Sequence, residues 1–238
     1  MEKYQKLKEI IQNAKDIVVF TGAGISVPSG IPDFRSSDGL YNQKTKINYS
    51  PEQIISHSFF MYHTKDFYEF YKDKMIYPDA LPNEAHKYFA NIEKPVTIIT
   101  QNIDGLHQLA GSKTVYELHG SVLRNYCMKC HKFHSLDSIA RSKDIPYCEC
   151  GGIIKPDVVL YEENLDDDCL NNAINAIRKC DVLIVIGTSL VVQPAASLIR
   201  FYHKNNLIIL NKDKTPYDYY ADLVIYDDIV NVIKKIRD

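Results

Sequence analysis

Four short apolar runs constrain this chain more than any other feature. They are Ile17-Val18-Val19-Phe20, Val96-Thr97-Ile98-Ile99, Val182-Leu183-Ile184-Val185-Ile186 and Leu207-Ile208-Ile209-Leu210. Each is β-branched and lacks polar alternation, the pattern of strands buried on both faces of a parallel sheet. Helical spacing lies between several of them, as at Leu170 to Arg178 and Pro194 to Tyr202. A helical start with Leu7, Ile10 and Ile11 on one face precedes the first. Strand–helix alternation of this kind predicts a doubly wound α/β fold.

The residues at the carboxyl end of each run are as informative as the run itself. Thr21-Gly22-Ala23-Gly24 succeeds the first, Thr100-Gln101-Asn102 the second, Gly187-Thr188-Ser189 the third and Asn211-Lys212 the fourth. A shorter stretch, Val115 to Leu118, leads into His119-Gly120. One polar strand end is an ordinary turn. Five of them mark the carboxyl edge at which open α/β sheets bind ligands. The glycines of Gly22-Ala23-Gly24-Ile25-Ser26 allow close backbone approach to a pyrophosphate, but the third glycine of a dinucleotide fingerprint is replaced by Val27. Gly30-Ile31-Pro32-Asp33-Phe34-Arg35-Ser36 reads either as a loop that closes over a ligand or as a helix cap with a surface ion pair. Gln101, Asn102 and Asp104 suit hydrogen bonds to ribose hydroxyls or a carboxamide; Asp104 equally suits a helix N-cap, and His107 reads as structural. His119 carries an imidazole whose ordinary pKa of about 6.5 lets it accept a proton at neutral pH. A lone histidine is more often structural, so His119 gains weight only from its neighbours.

Two stretches interrupt the alternation: 36–90, with helical spacing from Phe59 to Tyr71, and 123–152, which holds a cysteine cluster. They predict a smaller lobe over the sheet edge. The chain then reads as a single catalytic domain, 1–238, whose larger lobe comprises about 1–35, 91–122 and 153–238. Cys127-x-x-Cys130 is followed, after a gap of 17 residues, by Cys148-x-Cys150-Gly151-Gly152. Four thiolates at such spacing fill a tetrahedral zinc site and leave no open position, which makes the site structural. The one-residue spacing of the second pair is tighter than usual. Cys169 falls in a helical stretch, and Cys180, beside a buried strand, reads as an inert small apolar residue. Lys and Arg number 28 against 30 Asp and Glu, a net charge of −2 that argues against a chain built to neutralise nucleic-acid phosphates. No signal-peptide core or membrane-length run is present, so a cytoplasmic setting is expected.

Together these motifs resemble the sirtuin family, NAD-dependent protein-lysine deacylases, along nearly the whole chain. The resemblance implies a Rossmann-like sheet whose smaller lobe joins a helical insertion to a zinc ribbon. It implies NAD across the strand ends, held by Gly22, Ala23, Gly24, Ser26, Val27, Asp33, Phe34 and Arg35. Gln101, Asn102, Ile103, Asp104 and His119 would meet its nicotinamide half, and Gly187, Thr188, Ser189, Asn211 and Lys212 its adenosine half. Val27 stands where relatives often carry Thr or Ala, which leaves only backbone contact there. By the same resemblance, the acyl oxygen of a modified lysine attacks the ribose carbon bearing nicotinamide. His119 removes a proton through the ribose hydroxyls, with Asn102 and Gln101 positioning ribose and water. Free lysine, nicotinamide and O-acyl-ADP-ribose result, so NAD is a co-substrate and the enzyme a transferase in reaction type. One zinc ion is implied at Cys127, Cys130, Cys148 and Cys150.

The acyl-lysine peptide of such enzymes adds as a strand, here along Val158 to Glu163, with Val159, Tyr161 and Glu162 as contacts. Glu162 stands where the family usually has glycine; it either narrows the cleft or favours basic residues beside the lysine. Relatives that remove succinyl or malonyl groups use Tyr and Arg past the cofactor loop. Gly39-Leu40-Tyr41-Asn42-Gln43-Lys44 has no arginine, so acetyl or longer apolar acyl groups are expected. Two other readings stay open: an ADP-ribosyltransferase using the same NAD site, and a non-catalytic zinc-ribbon adaptor that binds nucleic acid. Oligomeric state and physiological substrates are not written in the sequence.

Overall fold

All four apolar runs form strands, and β1 and β7 are buried at every position. The computed structural model describes residues 1–34, 36, 39–42 and 48–237. The chain runs α1 (Glu2–Asn13), β1 (Ile17–Thr21), α2 (Pro51–Ile54), α3 (His57–Tyr62), α4 (Thr64–Lys74), α5 (Glu84–Ala90), β2 (Val96–Thr100), α6 (Leu106–Leu109) and β3 (Thr114–Glu117). It continues through β4 (Gly120–Cys127), β5 (Phe133–Ser135), α7 (Leu136–Ala140), β6 (Ile154–Val158), α8 (Asp167–Lys179), β7 (Val182–Ile186), β8 (Leu207–Asn211), β9 (Leu223–Tyr226) and α9 (Ile229–Arg237).

The larger sheet has the order β3-β2-β1-β7-β8-β9 and is parallel throughout. From β1 the chain builds outward to β3 on one side, then returns to build β7 to β9 on the other. The β1–β7 boundary is therefore the switch point at which such sheets open a crevice. Register makes this concrete. Thr21 lies opposite both Thr100 and Ile186, Glu117 opposite Thr100, and Leu210 opposite Ile186. The next residues along, Gly22, Gln101, Gly187 and Asn211, reach one edge together, with His119 close behind.

Alternate side chains of β1 feed two cores. Ile17 and Val19 pack with Leu7 and Ile11 of α1, Phe89 of α5 and Val232 and Ile236 of α9. Val18 and Phe20 pack with Ala173 and Ile177 of α8 and with Leu198 and Ile199. A third core joins Phe60, Phe67, Tyr68 and Tyr71 of the helical insertion to Val122, Ile154, Val158 and Leu160 and to the Cys127 and Cys148 side chains. The antiparallel sheet beneath it has the order β5-β4-β6. Packing thus puts Ala85 and Phe89 in the larger core, while the smaller one takes in β4 from Val122 and β6.

Three elements differ from the sequence expectation. The Phe59 to Tyr71 spacing divides at His63, whose backbone leaves the helical region (φ −131°, ψ 43°), into α3 and α4. Pro194 to Tyr202 forms a 3-10 helix, Ala195–Phe201, instead of an α-helix. Strand β9 has no counterpart in that expectation, although Leu223-Val224-Ile225 is a short apolar run between Asp222 and Asp227. Among the described residues no helix is long and apolar enough to cross a membrane.

Candidate active site

The glycines at the switch point serve close packing of two strand ends. Gly24 N–H donates to the Gly187 carbonyl (2.8 Å) and Gly22 N–H to that of Ile186 (3.0 Å). A Cβ at Gly24 would lie 2.7 Å from Gly187 Cα, and one at Gly187 (φ +60°) 2.5 Å from Ile25 N. The glycine N–H groups are therefore spent inside the protein. Those of Ala23 and Val27, which both line the cleft, take no backbone partner among the described residues.

Above this edge opens a cleft of about 1150 Å³. A drug-sized ligand needs roughly 300–1,000 Å³, so the cleft has room for a dinucleotide-sized ligand with space to spare. Most of the residues singled out from the sequence line it: Gly22, Ala23, Gly24, Ser26, Val27, Asp33, Phe34, Gln101, Asn102, Ile103, Asp104, His119, Gly187, Thr188, Ser189, Asn211 and Lys212. Val159, Tyr161 and Glu162 line the same space. Arg35 and Lys44 lie outside the described residues.

One polar network organises the floor. Ser26 Oγ donates to Asp104 Oδ2 (2.7 Å) and accepts from Asn102 Nδ2 (3.1 Å), which also donates to the Gly22 carbonyl (3.2 Å). Gln101 Nε2 donates to Thr188 Oγ1 (3.0 Å). Ser26 is fully buried, so its hydroxyl fixes other side chains. Asp104 Oδ1 also accepts from Leu106 N–H (2.9 Å) across a local turn, but the N-cap of α6 is Gly105 and carries no side-chain capping bond, so Asp104 is not the helix cap. Burial pushes its carboxyl above the usual carboxylate range.

His119 sits on this floor. The carbonyl of Gln101 can only accept, so the 2.9 Å contact to His119 Nδ1 requires the proton on Nδ1. That leaves Nε2 as an unprotonated acceptor. Burial lowers the imidazole pKa, with the Gln101 carbonyl opposing the shift. A neutral ring with its acceptor nitrogen defined by one backbone bond has the form a general base needs.

The loop over the cleft is anchored from within. Asp33 Oδ1 accepts from Ser36 N–H (2.9 Å), and Phe34 packs edge-on against Tyr41, centroids 5.4 Å apart. The Tyr41 hydroxyl lies 2.9 Å from that of Tyr161, so loop and peptide segment meet. Asn211 Nδ2 donates to the Asp213 carbonyl (2.9 Å), and Lys212 Nζ pairs with Asp228 at 3.0 Å. His107, read as structural, is buried with Nε2 3.0 Å from Thr21 Oγ1. Sequence reasoning missed Val192 and Gln193, which line the cleft after the Gly187-Thr188-Ser189 turn, and Ser58, which bonds the Glu162 carboxylate. Val192 and Gln193 had a signal, since they continue a strand-end loop; Ser58 had none.

The four cysteine sulfurs lie within 4.8 Å of one another, Cys127 to Cys150 at 3.4 Å and Cys130 to Cys148 at 3.7 Å. Tetrahedral zinc with Zn–S bonds of about 2.3 Å sets sulfurs about 3.8 Å apart, so the donor set fits one ion. Burial opposes ionisation of Cys127, yet N–H groups of Cys130 and Lys129 (3.5 and 3.4 Å) pull its thiol down to about 6.

An open parallel sheet with a cleft at its switch point, together with a smaller core that holds a four-cysteine cluster, defines the class. The Sir2 family model matches residues 22–194, and the chain belongs to the Sir2 family. An NAD-dependent protein deacetylase of Clostridium perfringens (strain 13 / Type A) is 57% identical over 242 residues, covering 100% of this chain and 99% of its own. A Sir2 structure with a deacetylated p53 peptide and 3′-O-acetyl ADP ribose matches with a TM-score of 0.90 at 38% identity, over 98% of this chain and 97% of that one. A Sir2–p53 peptide–NAD+ structure matches with a TM-score of 0.85 at 40% identity, over the same shares.

Proposed function

We propose that this protein is an NAD-dependent protein-lysine deacetylase that releases nicotinamide and O-acetyl-ADP-ribose. The observation that carries the proposal is His119 on the floor of the cleft, neutral, with Nδ1–H held by the Gln101 carbonyl and Nε2 free. NAD, when bound, supplies an electrophilic ribose carbon and a leaving nicotinamide. His119 Nε2 takes the proton from a ribose hydroxyl that becomes the acyl acceptor. Asn102 has both amide hydrogens committed to Gly22 and Ser26, so its carbonyl oxygen is the atom that meets ribose or water. Gln101 is held by one amide bond, from Nε2 to Thr188 Oγ1. Phe34, Ile103 and Asp104 serve the nicotinamide end; the Ala23 and Val27 N–H groups serve the pyrophosphate, and Thr188, Ser189, Asn211 and Lys212 the adenosine half.

Val159, Tyr161 and Glu162 receive the acyl-lysine peptide. Zinc at Cys127, Cys130, Cys148 and Cys150 has no open position and supplies cohesion to the smaller lobe. The whole is one catalytic domain of two lobes, and four cysteines clustered as metal ligands instead of paired in disulfides fit a reducing, cytoplasmic setting.

The test is NAD-dependent release of nicotinamide and free lysine from an acetyl-lysine peptide by wild type and His119→Ala. Turnover that needs NAD and falls about 10²–10⁴-fold in the variant, with zinc content and melting unchanged, supports the reading. NAD cleavage with the peptide still acetylated, and label from NAD on protein, would replace it with ADP-ribosyl transfer.

A further inference from the structure

Glu162 occupies a backbone conformation that argues for a task. Its φ is +75°, in the left-handed region where a residue with a Cβ is strained and glycine is favoured. The strain is offset by its carboxylate. Oε2 accepts from Ser58 N–H at 2.8 Å and Oε1 from Ser58 Oγ–H at 2.9 Å, which aims the side chain in one direction. Adjacent Glu163 is different: its carboxylate is neutralised by Lys155 Nζ at 3.1 Å, bonded to His57 Nδ1 at 2.8 Å, and accepts from Leu160 N–H at 2.9 Å. Among the described residues no cationic side chain pairs with Glu162.

Among the described residues the charge is therefore fixed and unpaired, and it is exposed in the cleft that Glu162 lines with Val159, Tyr161 and His119. The Glu162 N–H also takes no backbone partner among the described residues, which leaves an unused backbone donor beside the carboxylate. A strand added along this segment takes its backbone pairing from such groups and its specificity from the side chains beside them.

We infer that Glu162 selects acyl-lysine peptides carrying a lysine or arginine beside the modified residue. This rests on the deacetylase reading for its substrate, but not for its electrostatics. It also chooses between the two expectations for this position: with the carboxylate drawn onto Ser58, the side chain acts through charge, not by narrowing the cleft. A pinned carboxylate has already lost its rotamer freedom, so the incoming cation alone gives up entropy.

The test uses pairs of acetyl-lysine peptides identical except for arginine or alanine at one flanking position, scanned two residues to either side. Peptide affinity is read by fluorescence anisotropy and turnover by nicotinamide release, for wild type, Glu162→Gln and Ser58→Ala. Expected is an arginine-over-alanine affinity ratio of about two- to fivefold at one or more positions in wild type, the worth of an exposed ion pair. The ratio should shrink with added salt, fall to about one in Glu162→Gln, which keeps the side chain's shape, and fall partway in Ser58→Ala, which frees the carboxylate. Equal ratios in wild type and Glu162→Gln, or none in wild type, would overturn the inference. Binding with the expected ratio but no turnover would sink the deacetylase reading and leave the inference standing.

Discussion

At the scale of single residues, three histidines divide the work: half-buried His119 at the cleft and the buried pair His86 and His107. His119 keeps a free Nε2 and a pKa below the ordinary value. A base acts deprotonated, so kcat/KM should rise with pH through a midpoint below about 6.5; the pH profile of NAD-dependent turnover checks this. His86 and His107 pack edge-on with centroids 4.8 Å apart, and His86 Nε2 and His107 Nδ1 are buried without partners. Burial pushes His86 down to about 4; burial and then the neighbouring His86 push His107 to about 3. Lowered native values mean that the unfolded chain binds the extra protons. Their contribution is complete above about pH 6.5 and is lost as pH falls toward 4 and 3, at up to about 1.4 kcal/mol per pH unit for each ring. Urea midpoints between pH 7.5 and 5 should drop accordingly, and His86→Gln should flatten the slope. The pairing of His86 with His107 was invisible in sequence, since α5 and α6 meet only in the fold.

At the scale of elements, the turn between β3 and β4 carries His119 and is held by a contact that admits no side chain. A Cβ at Gly120 (φ +74°) would lie 1.9 Å from the Asp157 carbonyl oxygen. Gly120→Ala should therefore cost about 3 kcal/mol or more, lowering the Tm by about 6–12 °C and displacing the base; thermal melts and turnover measure both. Arg124 secures the same region by donating to Glu117 at 2.6 Å and Asp157 at 2.7 Å, so it ties β3, β4 and β6. The cysteine ribbon shares its core with α3 and α4, because Cys127 and Cys148 pack in the cluster of Phe60 and Phe67. Metal removal by a chelator, or Cys127→Ser, should release one zinc per chain and loosen the aromatic helices with it. Metal assay together with near-UV circular dichroism of the tyrosines reads the two effects; zinc loss with unchanged tyrosine signals would contradict the shared core.

At the scale of the whole molecule, the cleft is lined by the strand ends of the larger sheet and by residues of the smaller core, which join where Val159 N–H donates to the His119 carbonyl at 3.0 Å. A ligand that touches both should stabilise the entire chain. ADP-ribose at 100 times its Kd should contribute about 2.7 kcal/mol, or roughly 5–11 °C in Tm at this size, in one cooperative melt. Sequence alone determined much of this molecule. Continuous β-branched runs specify a parallel sheet because only strands buried on both faces need them, and the polar residue after each run must fall at the carboxyl edge. Cysteine spacing specified the ribbon because a four-thiolate site is local to two short turns. What only tertiary structure decided is how distant groups meet. The first-turn glycines bond Ile186 and Gly187; Ser26 aligns Asn102 with Asp104; and Ser58 aims the carboxylate of Glu162. Each depends on a contact across the chain, and no local pattern of residues encodes which partner the fold will bring.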